Sequence, residues 1–294
     1  MIYREFGTTG LRVPVLGFGA GQLGTTNLSD KSAGRLLNDI IDQGITLIDT
    51  ARGYESSEER IGRHLRQRRQ EIILSTKVGY GIPGYSDWTY DCVRAGIDEA
   101  LRRLQTDFID IVHLHSCTRS TLEEGGAVLA LEDAKRVGKI RILSYSGENE
   151  ALDWAVLCGR FGSIEHSVNI CDQRVIEGSL AKARDRGLGV IAKRPVANAP
   201  WRFSECPKDD YAEEYWWRWK TMNVDPRDLS WQELALRFTA FTPGVSSCIV
   251  GTTQWKHVRE NIEYIESGPL PEDQREHIRK SFRDNDPGWW VGQV

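Results

Sequence analysis

No two cysteines in this chain form a C-x-x-C pair. The six, at positions 92, 117, 158, 171, 206 and 248, are scattered, and free, mostly buried thiols are the expectation. Long apolar runs are also missing, none approaching the roughly 20 residues of a membrane span. The opening Met1-Ile2-Tyr3-Arg4-Glu5 lacks the apolar core of a signal peptide, so a cytoplasmic protein without a membrane partner is expected. No charge of one sign dominates: 38 basic residues face 42 acidic ones, for a net charge of −4. That balance gives no electrostatic reason to expect nucleic acid or an anionic membrane. Low-complexity segments and a clear linker are absent, so residues 1–294 read as one domain. What the chain does have is 40% hydrophobic residues over a length of 294. That length suits one α/β barrel of about 250 residues with insertions.

Apolar strand-like runs alternate with helical patterns almost from end to end. Strands are expected near 14–19, 45–49, 72–76, 108–114, 140–144, 164–169, 188–193 and 247–250. Helices are expected near 30–43, 57–69, 89–104, 121–137, 150–158, 174–186, 228–241 and 255–266. Eight strand–helix repeats favour a parallel (β/α)8 TIM barrel. Asp30 stands before the first helix, while Gly44, Gly138 and Gly187 mark helix ends. Ile2 to Phe6, the turn Gly7-Thr8-Thr9-Gly10 and Leu11-Arg12-Val13 read as a β-hairpin outside the repeat, placed to plug the closed bottom of the barrel. Residues 195–227 read as a long irregular piece on the C-terminal face, rich in tryptophan and tyrosine.

Gly19-Ala20-Gly21-Gln22-Leu23-Gly24 matches G-x-G-x-x-G after a strand, which taken alone suggests a Rossmann dinucleotide site. Two features oppose that. Thr25 to Ser29 intervene before any helix, and no acidic residue stands about 20 positions on. The glycines read instead as loop residues that let a ligand approach the backbone.

Four polar residues follow apolar runs at the C-terminal ends of consecutive strands. Asp49 and the nearby Tyr54 follow Ile45 to Ile48, Lys77 follows Ile72 to Thr76, and His115 follows Phe108 to Leu114. In a (β/α)8 barrel those ends converge on the face that carries the active site. An acid, a phenol, an ammonium and an imidazole brought together can move a proton onto a carbonyl oxygen. Lys77 is expected to lower the pKa of Tyr54 from its ordinary value of about 10. Asp49 would hold Lys77, and His115 would orient the carbonyl. His113 and His115 share one face of their strand, but no third metal ligand has suitable spacing, so no metal is expected. Cys117 lies close to His115 without any feature that makes it a nucleophile.

These residues resemble the aldo-keto reductase superfamily. Asp49-Thr50-Ala51-Arg52-Gly53-Tyr54 is similar to its D-T-A-x-x-Y stretch, and Glu58 to Gly62 to the E-x-x-x-G that follows. Ser75-Thr76-Lys77 resembles its strand-three lysine, and Phe108 to His115 its strand-four histidine. Gly7 to Pro14 and Ile249-Val250-Gly251-Thr252 are similar too, so the match covers nearly the whole chain. The resemblance implies a barrel that binds NADPH, with NADH as the other candidate, and a small-molecule aldehyde or ketone substrate, sugar-like or aromatic. It implies Asp49, Tyr54, Lys77 and His115 as catalytic residues, with Tyr54 as acid. For the cofactor it implies Gly19, Gly21 and Asp49 near the catalytic centre, Ser146 and Glu165 at the nicotinamide, and Lys193 on strand seven. Gly251, Thr252, Thr253, Gln254, His257, Glu260 and Asn261 would take the phosphate and adenine end, at a helix N-terminus suited to anions.

The departures carry information. Gly147 follows Ser146 where the family usually has asparagine, and Glu165 stands where it often has glutamine. Lys193 replaces an aromatic that stacks on nicotinamide. His257 falls where many members carry arginine, which leaves the choice between NADPH and NADH open. Other readings of the same four residues are a sugar or alcohol dehydrogenase working oxidatively, a cofactor-binding regulatory subunit with little turnover, and a barrel enzyme using Lys77 as a Schiff base. Oligomeric state is not readable.

Overall fold

The computed structural model describes Met1 to Gln293. Strands β1 (Tyr3–Glu5) and β2 (Arg12–Pro14) form an antiparallel hairpin, with Arg4 opposite Val13. Eight parallel strands then close into a barrel in chain order. They are β3 (Leu16–Gly19), β4 (Leu47–Asp49), β5 (Ile73–Val78), β6 (Ile109–His115), β7 (Ile140–Ser146), β8 (Ser163–Ser167), β9 (Gly189–Lys193) and β10 (Ser247–Val250), which returns to β3. Each strand buries both faces, one against the barrel interior and one against the helices, so the runs read as almost wholly apolar. All eight expected strands are present, with no end shifted by more than two residues.

The bottom of the interior is apolar. Leu47, Ile111, Ile142, Ile191 and Ile249 point inward and pack around Phe6 and Val13 from the hairpin. The hairpin is therefore the plug the sequence led us to expect, and Arg4 ties it down by donating to the carbonyls of Ala240 and Val245, at 2.6 and 2.8 Å. Gly189 leaves the room that Phe6 occupies, since a Cβ there would stand 2.6 Å from the Phe6 ring. Gly189→Ala is expected to lose about 1–3 kcal/mol of stability through overpacking. A lowered urea midpoint checks this, and an unchanged one would mean the plug yields easily.

The helices differ from expectation in instructive ways. The first spans Asp30–Asp42, but its cap is Ser29, whose hydroxyl accepts from the Ser32 amide, and Asp30 is the first helical residue. The stretch 57–69 is a helix over Ser57–Leu65 followed by a 3-10 segment over Arg66–Glu71. The patterns at 121–137 and 174–186 each break into two helices, at Gly125 and Gly178. Within 195–227 lies a helix over Glu213–Met222. Another helix covers Glu272–Asn285, which buries only Gln274, Ile278, Arg279 and Phe282. Two apolar residues in fourteen positions leave too faint a period to read.

Candidate active site

Strand register assembles the site. Asp49 lies beside Ser75, Lys77 beside His113, His115 beside Ser146, and Ser146 beside Glu165. Registered neighbours on parallel strands point the same way, so these polar side chains share the barrel interior above the apolar plug. Lys77 is almost fully buried and forms an ion pair with Asp49; it also donates to the Thr50 carbonyl at 3.0 Å and lies 3.4 Å from Glu165 Oε1. Ser75 Oγ donates to Asp49 at 2.8 Å, and Ser146 Oγ to Glu165 Oε1 at 3.1 Å.

Tyr54 is held by its loop. Thr50 Oγ1 donates to Ser57 Oγ and Ser57 Oγ to the Ala20 carbonyl, both at 2.8 Å. The glycine-rich loop packs on the same residue: a Cβ on Gly24 would lie 2.0 Å from the Tyr54 carbonyl, and one on Gly21 would touch its ring at 3.7 Å. The G-x-G-x-x-G run is thus the end of β3 and a 3-10 turn over Gly21–Gly24, a seat for the phenol with no Rossmann helix. The Lys77 ammonium lies 5.5 Å from the Tyr54 ring centre, and the His115 ring meets it edge-on at 6.5 Å. All four sequence-derived residues therefore converge.

Electrostatics correct one expectation. Lys77 does pull the Tyr54 pKa down, and it is the largest single influence. Burial and the carboxylates of Asp49 and Glu165 push the other way and win, so the phenol lies above its ordinary value. Two buried carboxylates face one ammonium. Burial and then Glu165 raise Asp49 to about 7, whereas Lys77 overcomes burial to hold Glu165 low. The protons belong to the pair rather than to either residue. Burial works against the charge of Lys77, but Asp49 and Glu165 raise its pKa, and a lysine held protonated has no lone pair for a Schiff base. Burial drives both histidines neutral, His113 to about 4 and His115 to about 3.

His113 Nε2 lies 2.8 Å from Ser75 Oγ. Its ring does gather with Asp49 and Glu165, with ligand atoms within 4.8 Å of one another. The cation those carboxylates hold is the Lys77 ammonium. Cys117 is buried, and burial pushes its thiol up to about 12, which leaves it inert.

Tyr80 escaped the sequence reading. Its hydroxyl lies 2.9 Å from His115 Nδ1, and Trp88 packs on its ring at 5.5 Å. Its place three residues past Lys77 was the only available signal. Hydroxyl donation to a neutral His115 leaves Nε2 as the N–H.

A cavity of about 890 Å3 opens between the β10 loop and the segment after β9; Gly19, Gly21, Asp49, Tyr54, Lys77, His115, Ser146 and Glu165 do not line it. Every residue drawn from Gly251 to Asn261 for the cofactor lines it. They surround the start of the helix over Trp255–Glu266, whose first turn has no side-chain cap. Thr252 Oγ1 accepts from the Gln254 amide at 3.1 Å and lies 3.2 Å from His257 Nδ1. Arg194 and Arg202, neither singled out in the sequence, also line it, as do the acids Asp210 and Glu260, with Arg202 3.7 Å from Asp210 Oδ1. Open amides and two guanidiniums suit phosphate groups, and the volume suits a nucleotide-sized ligand. Lys256 instead pairs with Glu260 at 3.6 Å and is exposed. The segment after β9 holds Arg194, Ala197, Asn198 and Ala199 at positive φ, a costly backbone that Asn169 and Thr239 brace by donating to the carbonyls of Arg194 and Pro195.

Lys193 does not line this cavity. Its ammonium lies 3.3 Å from Glu148 Oε1, so pairing with a buried acid explains a lysine at this strand end. Among the described residues no tryptophan lines the cavity. Trp201, Trp219 and Trp231 pack on one another, with ring centres 5.9 and 5.4 Å apart. Trp290 packs on Phe282 at 5.4 Å, and Arg218 and Asn149 pin the last residues by donating to the carbonyls of Val291 and Gly292. These rings hold the loop and the C-terminal segment in place.

Among the described residues no helix is long and apolar enough to cross a membrane. Residues 15–282 match the model of the aldo/keto reductase family. The chain is 30% identical to the uncharacterized oxidoreductase YqkF of Bacillus subtilis, covering 92% of this chain and 93% of that protein. It is 27% identical to L-galactose dehydrogenase of Arabidopsis thaliana, over 89% and 87%. Among solved structures it is similar to the holo form of the aldo-keto reductase AKR11C1 from Bacillus halodurans. That match has a TM-score of 0.82 and 29% identity, and covers 96% of both chains.

Proposed function

The chain belongs to the aldo/keto reductase family of oxidoreductases, and from that premise we propose that it reduces an aldehyde or ketone with NADPH or NADH, as one domain and with Tyr54 as proton donor. The observation that supports this most is the meeting of Tyr54, Lys77, Asp49 and His115 on one face of the barrel; the cavity at the β10 loop suits the phosphate end of a dinucleotide. When bound, the cofactor supplies the hydride. The chain supplies the rest. His115 Nε2–H and the Tyr54 hydroxyl converge on the carbonyl oxygen and fix its position. As negative charge grows there, Tyr54 gives up its proton, and the nearby Lys77 ammonium stabilises the phenolate that remains. Asp49 keeps Lys77 in place. Tyr80 keeps His115 in the tautomer that donates toward the substrate. Ser146 and Glu165 would hold the nicotinamide, and the Gly251–Asn261 segment with Arg194 and Arg202 the phosphates.

The raised pKa of Tyr54 keeps it protonated across the neutral range, the form that can give a proton to a carbonyl oxygen. Titration of the protein with NADPH and with NADH, followed by quenching of its ten tryptophans, tests the proposal. Saturable binding of either supports it, and the tighter of the two settles the choice that His257 leaves open. Failure of both to bind would sink it.

A further inference from the structure

Charge is not balanced at the heart of the site. Asp49, Lys77 and Glu165 are all at least 98% buried and stand within direct contact of the one ammonium. Lys77 can neutralise one carboxylate. The second leaves the cluster with a surplus negative charge whenever both are ionised. That surplus is badly solvated: Glu165 Oε2 has no hydrogen-bond partner among the described residues, and its near neighbour His113 Nε2 is 3.6 Å away.

We propose that Glu165 makes this site discriminate between the two redox forms of its cofactor, favouring the oxidised, cationic nicotinamide over the reduced, neutral one. The inference rests on the cofactor reading above and deepens it. Any hydride donor must reach the carbonyl carbon whose oxygen Tyr54 serves. That requirement keeps the nicotinamide close to the Lys77–Glu165 pair, because Lys77 is 5.5 Å from the Tyr54 ring. The two forms carry the same phosphates, so everything at the Gly251–Asn261 end cancels from the ratio of their affinities. Only groups near the nicotinamide remain in it, and a buried carboxylate with a free lone pair is the one that prefers a cation.

Other charged groups around Glu165 do not supply this preference. Lys77 stays an ammonium and Tyr54 a phenol, while His113 and His115 stay neutral and burial lowers the pKa of the adjacent His166. Lys193 and Glu148 pair with each other. What titrates near neutrality is the Asp49–Glu165 pair, with Asp49 at about 7. Below that pH the shared proton cancels the surplus charge, and above it the charge is present.

The test is the dissociation constant of NADP+ and of NADPH, or of the NAD pair if that binds tighter, for the whole protein and for Glu165→Gln at pH 6 and pH 8. Glutamine keeps the shape and the Ser146 contact and leaves Lys77 paired with Asp49. The expected result is that Glu165→Gln weakens the oxidised form relative to the reduced one by about tenfold at pH 8 and by much less at pH 6. An equal loss for both forms, or a ratio that moves identically with pH in the two proteins, would overturn the inference and make Glu165 a merely structural contact. Failure of the unaltered protein to bind any of these nucleotides would instead overturn the cofactor reading. A variant that no longer melts cooperatively is replaced by Glu165→Asp, which keeps the charge and should keep the wild-type ratio; loss of the preference in that variant counts against the inference.

Discussion

Tyr54→Phe is expected to lower kcat for carbonyl reduction by roughly 10^2- to 10^4-fold, the usual worth of a positioned proton donor, while the cofactor dissociation constant stays within about twofold. The asymmetry follows from what the substitution leaves in place. The ring remains on Gly21 and within reach of the Lys77 ammonium. The loop that carries it is fixed by Thr50, Ser57 and the Ala20 carbonyl, none of which involves the phenol. Only the transferable proton disappears. Steady-state kinetics with an aldehyde panel, set beside a fluorescence titration of the same variant, separate chemistry from binding. A fully active Tyr54→Phe would remove Tyr54 from the mechanism and, with it, the reading of the whole cluster.

The four clustered residues were legible because each sits at or near a place that a local pattern marks: a polar residue ending an apolar run. Spacing along one strand and the order of strands in a barrel were enough to bring them together. The hairpin plug was legible for the same reason, through its turn chemistry. What the pattern could not give was the sum of charges across strands far apart in sequence. Lys77 looked like a partner for Asp49 alone, and Tyr54 was expected to be acidified. Burial first, then Asp49 and the Glu165 that the β7–β8 register sets against Lys77, reverse the sign for Tyr54. Tyr80, Arg194 and Arg202 lie beyond strand ends, where side-chain direction depends on loop conformation. In the case of Arg194 that conformation is left-handed, with φ of 53°, which no local rule predicts for arginine. The helix over Glu272–Asn285 was missed because it buries charged and polar stems, among them Arg279, as readily as apolar ones.

Lys77→Met should cost about 3–5 kcal/mol of stability, the range for removing one partner from a buried ion pair. Methionine fills the space but leaves Asp49 and Glu165 facing each other in a site closed to water. Ser75 and Ser146 then offer the main remaining hydrogen bonds to them, too few for two anions. Each carboxyl must hold its proton or repel its neighbour. With Lys77 present, burial and Glu165 already raise Asp49 to about 7, while Lys77 overcomes burial to hold Glu165 low; without it both groups rise. A carboxyl with a raised pKa binds more protons in the folded state than in the unfolded one, whose ordinary value is about 4. Its presence therefore destabilises the fold progressively as pH climbs from about 4 through the folded-state value. The variant should thus melt closest to the wild type near pH 5 and lose ground steadily toward pH 8. Adding Glu165→Gln to Lys77→Met removes one of the two stranded charges and should restore part of the loss at pH 8 while changing little at pH 5. Thermal melts of the three proteins at the two pH values decide the matter. If Lys77→Met were as stable as the wild type at pH 8, the two carboxylates would not be the buried, water-excluded pair on which the electrostatics of this site depend.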